Sequence, residues 1–214
     1  MKKETNIIIN EKVYTMIISF KYTNYIRIRV NNGQFIISCP FGTDESYLKT
    51  LLLKSKSLIK SADKIKPFSS SYCYIYGEKQ PIEDCFIKID NHFILFNEET
   101  IYKDVEKYFN KYITERVLLY EKIMGVNSKY KVTSKFVKTR YGSNSKRTKT
   151  LSFNTYLFHF NKDIIDAIVV HELAHEFYFN HSKEFYDLIY KYCPNYKKLH
   201  KALTEGDYSY GNQY

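Results

Sequence analysis

Five consecutive residues, His171-Glu172-Leu173-Ala174-His175, spell H-E-x-x-H. On a helix, histidines four positions apart project from one face and can grip a single ion, with the glutamate beside them. Zinc takes neutral imidazoles at about 2.0–2.1 Å and, in a catalytic site, three protein ligands with a fourth position for water. The pentapeptide supplies two. His181, which follows His175 after five intervening residues, is the candidate third, reached if Asn180 ends the helix in a left-handed turn that swings the imidazole back. A chance H-E-x-x-H in a chain of this composition has a probability of about one in a hundred, before the third histidine is counted. Coincidence is a poor account, and one Zn2+ per chain is expected, held by His171, His175 and His181.

The chemistry follows from the ion. Zinc lowers the pKa of its water toward about 7 and polarises a scissile carbonyl, while Glu172 takes the water's proton and later hands it to the leaving amine. Glu172 adjoins His171 and points away from the line the two histidines share, so it reads as the base and not as a ligand. The transition state needs a further donor or substrate contact, for which Arg140, Tyr141, Tyr186 and His200 are candidates. Spacing chooses none of them, and each also fits an ordinary surface or core position.

These residues need a helix, and the pattern provides one. Asn161 can cap a helix from Lys162 to about Phe179 whose Ile168, Val169, Val170 and Ala174 mark it as core, and ionisable groups placed there without a metal would cost several kcal/mol. Ser182 caps a further helix that Pro194 ends or restarts. Upstream, Tyr130 to Tyr141 and Lys149 to Phe153 read as two strands around a Gly142-Ser143-Asn144-Ser145 turn, and Glu98 to Met124 as one long helix that stops at Gly125. Nearer the N-terminus, Val13–Phe20, Tyr25–Val30 and Gln34–Cys39 read as strands, the last two joined through Asn31-Asn32-Gly33. A helix follows from a Thr43 or Asp44 cap to about Ala62. Short β pieces at Tyr72–Tyr76, Cys85–Ile89 and His92–Phe96 suggest a small second sheet layer.

The 214 residues allow one large domain or two small ones, and the balance of apolar and charged residues excludes collagen-like, mucin-like and wholly disordered chains. No apolar run approaches the roughly 18 residues of a membrane span, and the N-terminus does not read as a signal peptide, so a soluble, cytoplasmic protein without a membrane partner is expected. Cys39, Cys73, Cys85 and Cys193 form no C-x-x-C pair, which fits free thiols. The net charge is +10, and between Glu121 and Asp163 ten Lys and Arg residues occur with no acidic residue. With Tyr130, Phe136 and Tyr141 interleaved, the stretch 122–162 could track a nucleic-acid backbone. The plainer account, solvated lysines that keep strand edges from pairing, is favoured.

Several blocks together resemble the YgjP-like minimal zinc metallopeptidases, relatives of the SprT and WLM groups. They are Val137-Lys-Thr-Arg-Tyr-Gly-Ser-Asn-Ser145, Leu151-Ser-Phe-Asn154, Ile165-Asp-Ala-Ile-Val-Val-His-Glu-Leu-Ala-His175, Asn180-His-Ser-Lys-Glu-Phe-Tyr186 and Pro194. The resemblance is most specific over about Tyr130 to Leu203. It implies a zincin-like fold in which His171, His175 and His181 bind zinc and Glu172 is the base, and its SprT relatives make a nucleic-acid partner worth stating. The family usually has Trp-Gly-Ser-Cys where this chain has Tyr141-Gly142-Ser143-Asn144, and Phe-Trp at Phe185-Tyr186, so an aromatic body is kept with a hydroxyl added. His181 also has metzincin spacing, yet Tyr178 stands where the metzincin turn glycine would be, and no Met-turn follows.

The expectation is therefore an α+β protein. Residues 1–97 form an N-terminal antiparallel β-meander with helices, and residues 98–214 a minimal zincin-like domain carrying the H-E-x-x-H helix and hydrolysing peptides or proteins. The rival reading is a nucleic-acid or protein-binding module with a structural zinc and weak or no hydrolysis.

Overall fold

The computed structural model describes residues 2–31 and 33–211. The chain is α+β and forms two compact units, Met1–Lys66 and Pro67–Tyr214. The border lies well before the expected 97/98, because Cys73, Ile75, Ile87, Ile89 and Ile94 belong to the second unit's hydrophobic core.

In the first unit, β1 (Lys2–Ile9) and β2 (Lys12–Lys21) form a hairpin turned at Asn10 and Glu11, both with positive φ. β3 (Arg27–Asn31) and β4 (Gln34–Pro40) form another; the Asn32 part of its expected turn lies outside the described residues. The strand order is β1-β2-β4-β3, with β2 and β4 parallel. This corrects the antiparallel meander. β4 buries Phe35, Ile37 and Cys39 completely, whereas β3 alternates half-buried Ile28 and Val30 with exposed Arg27 and Arg29. The more apolar strand takes the centre and the arginine strand the solvated edge. The expected single helix is broken at Ser55 into α1 (Glu45–Lys54), capped by the Asp44 side chain, and α2 (Lys56–Ala62). Leu48, Leu52 and Ala62 share a core with Met16, Ile18 and Ile37.

The second unit opens with two separate hairpins rather than one sheet layer: β5 (Tyr72–Ile75) with β6 (Glu78–Pro81), and β7 (Phe86–Ile89) with β8 (His92–Leu95). The long helix is split into α3 (Ile101–Asp104) and α4 (Glu106–Met124), which ends at Gly125 in the left-handed region. A three-stranded sheet follows, in which β11 (Thr150–Asn154) lies between β9 (Lys131–Lys135), parallel to it, and β10 (Gly142–Ser145), antiparallel to it. The residues expected to turn are thus the edge strand itself, and the chain reverses at 146–149, where Lys149 has a φ of 45°.

Helix α5 (Lys162–Ala174) sits at the centre of this unit. Asn161 caps it by accepting from the Asp163 N–H at 2.7 Å, and nine of its residues, from Ile164 to Ala174, are buried. Arg116 of α4 grips Asp166 of α5 through two guanidinium nitrogens, with Tyr120 donating to the same carboxylate. That fork fixes the rotation of α5 about its axis. α6 (Lys183–Tyr192), capped by Ser182, and α7 (Tyr196–Glu205) pack on it, the latter contributing Tyr196, Leu199, Ala202 and Leu203 to the core.

Candidate metal centre

The H-E-x-x-H residues occupy the last turn of α5, which ends at Ala174, not near Phe179. His175 already has the C-cap position, and residues 175–177 turn the chain back. Asn180 is not among the residues with positive φ, so the return to His181 does not use a left-handed Asn180. It is the early end of the helix that brings His181 over the helical pair.

Nitrogens of His171, His175 and His181 all lie within 4.8 Å of one another, the one group of three possible metal ligands among the described residues. The Nε2 atoms of His171 and His181 are 3.2 Å apart. Each helical imidazole is held from behind. His175 Nδ1 is 3.2 Å from the Tyr178 carbonyl, which can only accept, so the proton sits on Nδ1 and Nε2 keeps its lone pair. His171 Nδ1 is 2.8 Å from the buried Tyr196 hydroxyl. Phe185 lies under the three rings, with centroids 4.7–5.1 Å away. Burial, reinforced by the neighbouring imidazoles, pushes His171 down to about 3, and burial also lowers His175, so both are neutral, the form that ligates a metal.

Glu172 points elsewhere. It is 6% exposed, and no donor among the described residues reaches its carboxylate. Burial pushes the group up to about 7 against the opposing charge of Arg140. It rests on Gly142 of β10: a Cβ there would stand 2.4 Å from Oε1 and 2.8 Å from Cγ. The glycine is what lets the strand pass this close. Two residues on, Asn144 donates from Nδ2 to the Glu172 carbonyl oxygen at 2.8 Å, so one strand touches both the backbone and the side chain of Glu172.

The end of the helix is fastened by the same hairpin. The Glu176 carboxylate accepts from Ser128, Tyr130 and Lys149, and its carbonyl accepts from Lys146 Nζ at 2.8 Å. Two cations of the basic stretch are therefore engaged in holding the site.

Of the four further candidates, Tyr186 and His200 line a cavity beside His171 and His181. Arg140 and Tyr141 line a different one, of about 410 Å³, on the loop that Asn154 braces through the carbonyls of Val137 and Arg140. The Tyr141 ring stands edge-on to Phe160 as part of the packing, while Arg140 reaches the site through its charge on Glu172. Sequence reasoning missed Tyr196, Gly142, Asn144 and Glu176. Gly142 and Asn144 carried a signal, since both lie in the Val137–Ser145 block of the family resemblance, whereas Tyr196 and Glu176 carried none.

Residues 96–206 match the YgjP-like metallopeptidase domain. Among solved structures, the metallopeptidase zymogen jannalysin of Methanocaldococcus jannaschii is 26% identical, with a TM-score of 0.38 over 42% of this chain and 96% of its own. The zymogen abylysin of Pyrococcus abyssi is 20% identical, with a TM-score of 0.41 over 43% of this chain and 91% of its own. No curated protein matches. No helix among the described residues is long and apolar enough to cross a membrane. With the family match covering more than half of its length, the chain belongs to the YgjP-like metallopeptidases.

Proposed function

We propose that this chain is a zinc-dependent peptidase of minimal zincin-like architecture in which His171, His175 and His181 hold one zinc ion and Glu172 is the general base. The observation that carries the reading is the convergence of three imidazoles, those of His171 and His175 held neutral by burial, beside a buried carboxylate that no donor among the described residues reaches. Two nitrogens on one tetrahedral zinc stand about 3.3 Å apart, against 3.2 Å between the Nε2 atoms of His171 and His181. Nitrogen donors without cysteine suit that ion.

Bound there, zinc supplies Lewis acidity toward a peptide carbonyl and acidifies a water. The rest is the work of the chain. Tyr196 and the Tyr178 carbonyl hold protons on the Nδ1 atoms of His171 and His175, which keeps both Nε2 lone pairs turned to the ion. Glu172, unpaired, accepts the proton of the attacking water on a carboxylate oxygen and returns it to the leaving nitrogen. Gly142 fixes where that oxygen stands, and Arg140 supplies positive charge on the same side. The substrate is a peptide or protein.

Elemental analysis of purified protein should give about one zinc per chain, lost or much weakened in His171→Ala, His175→Ala and His181→Ala. Glu172→Gln should keep the zinc and the fold and lose hydrolysis of unfolded protein or of a peptide library, since an amide cannot take the proton. Glu172→Gln protein as active as wild type would overturn the mechanism. Zinc-loaded wild type that cleaves nothing would favour a structural zinc in a binding module.

A further inference from the structure

Beside the histidine trio lies an open cavity of about 480 Å³. Tyr186 and Tyr190 of α6 line it with Tyr196, Lys197 and His200 of α7. No carboxylate is among its lining residues. Lys197 is exposed and pairs with no acidic group among the described residues, unlike Lys3, Lys12, Lys49 and Lys149. Tyr196 adds a directed donor. A phenol oxygen has two lone pairs and one hydrogen; with His171 ligating zinc through Nε2 as proposed, its Nδ1 carries the ring proton, one phenol lone pair accepts it, and the O–H is still to be placed. No acceptor for it is found among the described residues. The cavity thus presents one unpaired ammonium and one phenol O–H between aromatic walls, next to the atoms that would hold the ion.

We infer that this cavity binds a carboxylate of the substrate, held by Lys197 and the Tyr196 hydroxyl, and that the enzyme prefers acidic peptides. The inference rests on the peptidase reading above and names its substrate class. An ammonium and a phenol donor meeting a carboxylate make charge-assisted hydrogen bonds, and a neutral amide in the same place leaves the ammonium without its counter-charge. The chain's net charge of +10 works in the same direction, drawing anionic peptides toward it. The carboxylate can come from an Asp or Glu side chain or from a free C-terminus, and the test separates them.

A peptide series carries Glu, Gln, Lys or Leu at one position at a time, each peptide made with a free and an amidated C-terminus. Binding to full-length, zinc-loaded Glu172→Gln protein is read by fluorescence anisotropy, and cleavage by wild type as kcat/KM. At one position Glu should exceed Gln by about tenfold in both measurements. If the C-terminus is the ligand, the free acid should exceed the amide by a similar factor at all compositions. Lys197→Ala should abolish whichever preference is found, and Lys197→Glu should turn it toward Lys peptides. Zinc content and melting temperature verify that both variants are folded. Equal binding of Glu, Gln and Leu together with equal binding of acid and amide would overturn the inference, as would a preference for Leu, a preference that survives Lys197→Ala, or no binding at all. Cleavage without preference sinks the carboxylate pocket and leaves the peptidase standing. Preference in binding without cleavage of any peptide sinks the peptidase reading and leaves the pocket.

Discussion

Gly142→Ala should separate turnover from metal binding. The added Cβ falls 2.4 Å from Glu172 Oε1 and 2.9 Å from Cδ, where carbon makes ordinary contacts at about 3.5 Å, so the carboxylate must retreat by about 1 Å. Glu172 is 6% exposed and has little room to do so. Misplacing a catalytic group by about 1 Å costs about a hundredfold in rate, and overpacking at a buried position costs about 1–3 kcal/mol of stability. None of the atoms met by the new methyl belongs to the three histidines, so zinc content should stay at wild-type level. Steady-state hydrolysis of a peptide substrate, elemental analysis and a thermal melt on one preparation read the three quantities. In a Glu172→Gln background the stability loss should persist while residual hydrolysis falls no further, because the group being displaced is already silent. Wild-type kcat in folded Gly142→Ala protein would refute the claim that β10 sets the position of the base. Loss of zinc would refute the claim that ion and base are held separately.

Tyr196→Phe removes the acceptor behind His171 Nδ1 and should weaken zinc binding by about 10–100-fold, measured by chelator competition; unchanged affinity would exclude Tyr196 from holding that ring. His159 is fully buried, its Nδ1 2.7 Å from the Tyr74 carbonyl and its Nε2 without a partner among the described residues, and burial pushes it down to about 3. The unfolded chain, with an ordinary value near 6.5, binds the proton first, so stability is fully present above about pH 6.5 and falls toward pH 3 at up to about 1.4 kcal/mol per pH unit. Cys73, Tyr102, Tyr156 and Tyr208 around it are all raised by burial and do not titrate in that window. Urea melts of wild type and His159→Phe from pH 7 to 4.5 isolate its share, and parallel slopes would contradict it. Lys146→Ser with Lys149→Ser should lower stability by about 1–2 kcal/mol, since both lysines hold Glu176. A melt unchanged from wild type would return them to the class of solvated surface charges.

The parts of the site that follow a helical period could be read directly. His171, Glu172 and His175 are fixed relative to one another by the turn of α5, and that core helix is written in Ile164 to Ala174. His181 could be placed near them, but the route could not, because where α5 stops depends on Glu176 being bound by Ser128, Tyr130 and Lys149, residues nearly fifty and nearly thirty positions away. Tyr196 is twenty-five residues from His171 and reads locally as one more core tyrosine. The Gly142-Ser143-Asn144-Ser145 segment has the composition of a turn, and tertiary contacts override it: Gly142 is wanted for its missing side chain and Asn144 for its amide on α5. In the first unit the apolar alternation located β2, β3 and β4. Which of them is central depends on the greater burial of Phe35 and Ile37, not on chain order.

The proposed metal ligands and the proposed base are adjacent in the sequence and yet are governed by different parts of the fold. The imidazoles are set by the helical period of α5, by α7 through Tyr196 and by Phe185 of α6. Glu172 is set by β10, which meets its carboxylate at Gly142 and its carbonyl at Asn144. The β10–β11 hairpin is in turn pinned to the end of the same helix by Lys146 and Lys149 on Glu176, with Tyr130 accepting from Asn144 Nδ2 at 3.2 Å and donating to the Glu176 carboxylate. A shift of the hairpin therefore moves the Glu172 carboxylate relative to the three imidazoles without breaking any contact to a histidine, whereas a shift of α7 moves His171 without touching that carboxylate. Lys146 and Lys149, which help give this hairpin the look of an anion-binding surface, act inward, on Glu176 in the turn that follows α5.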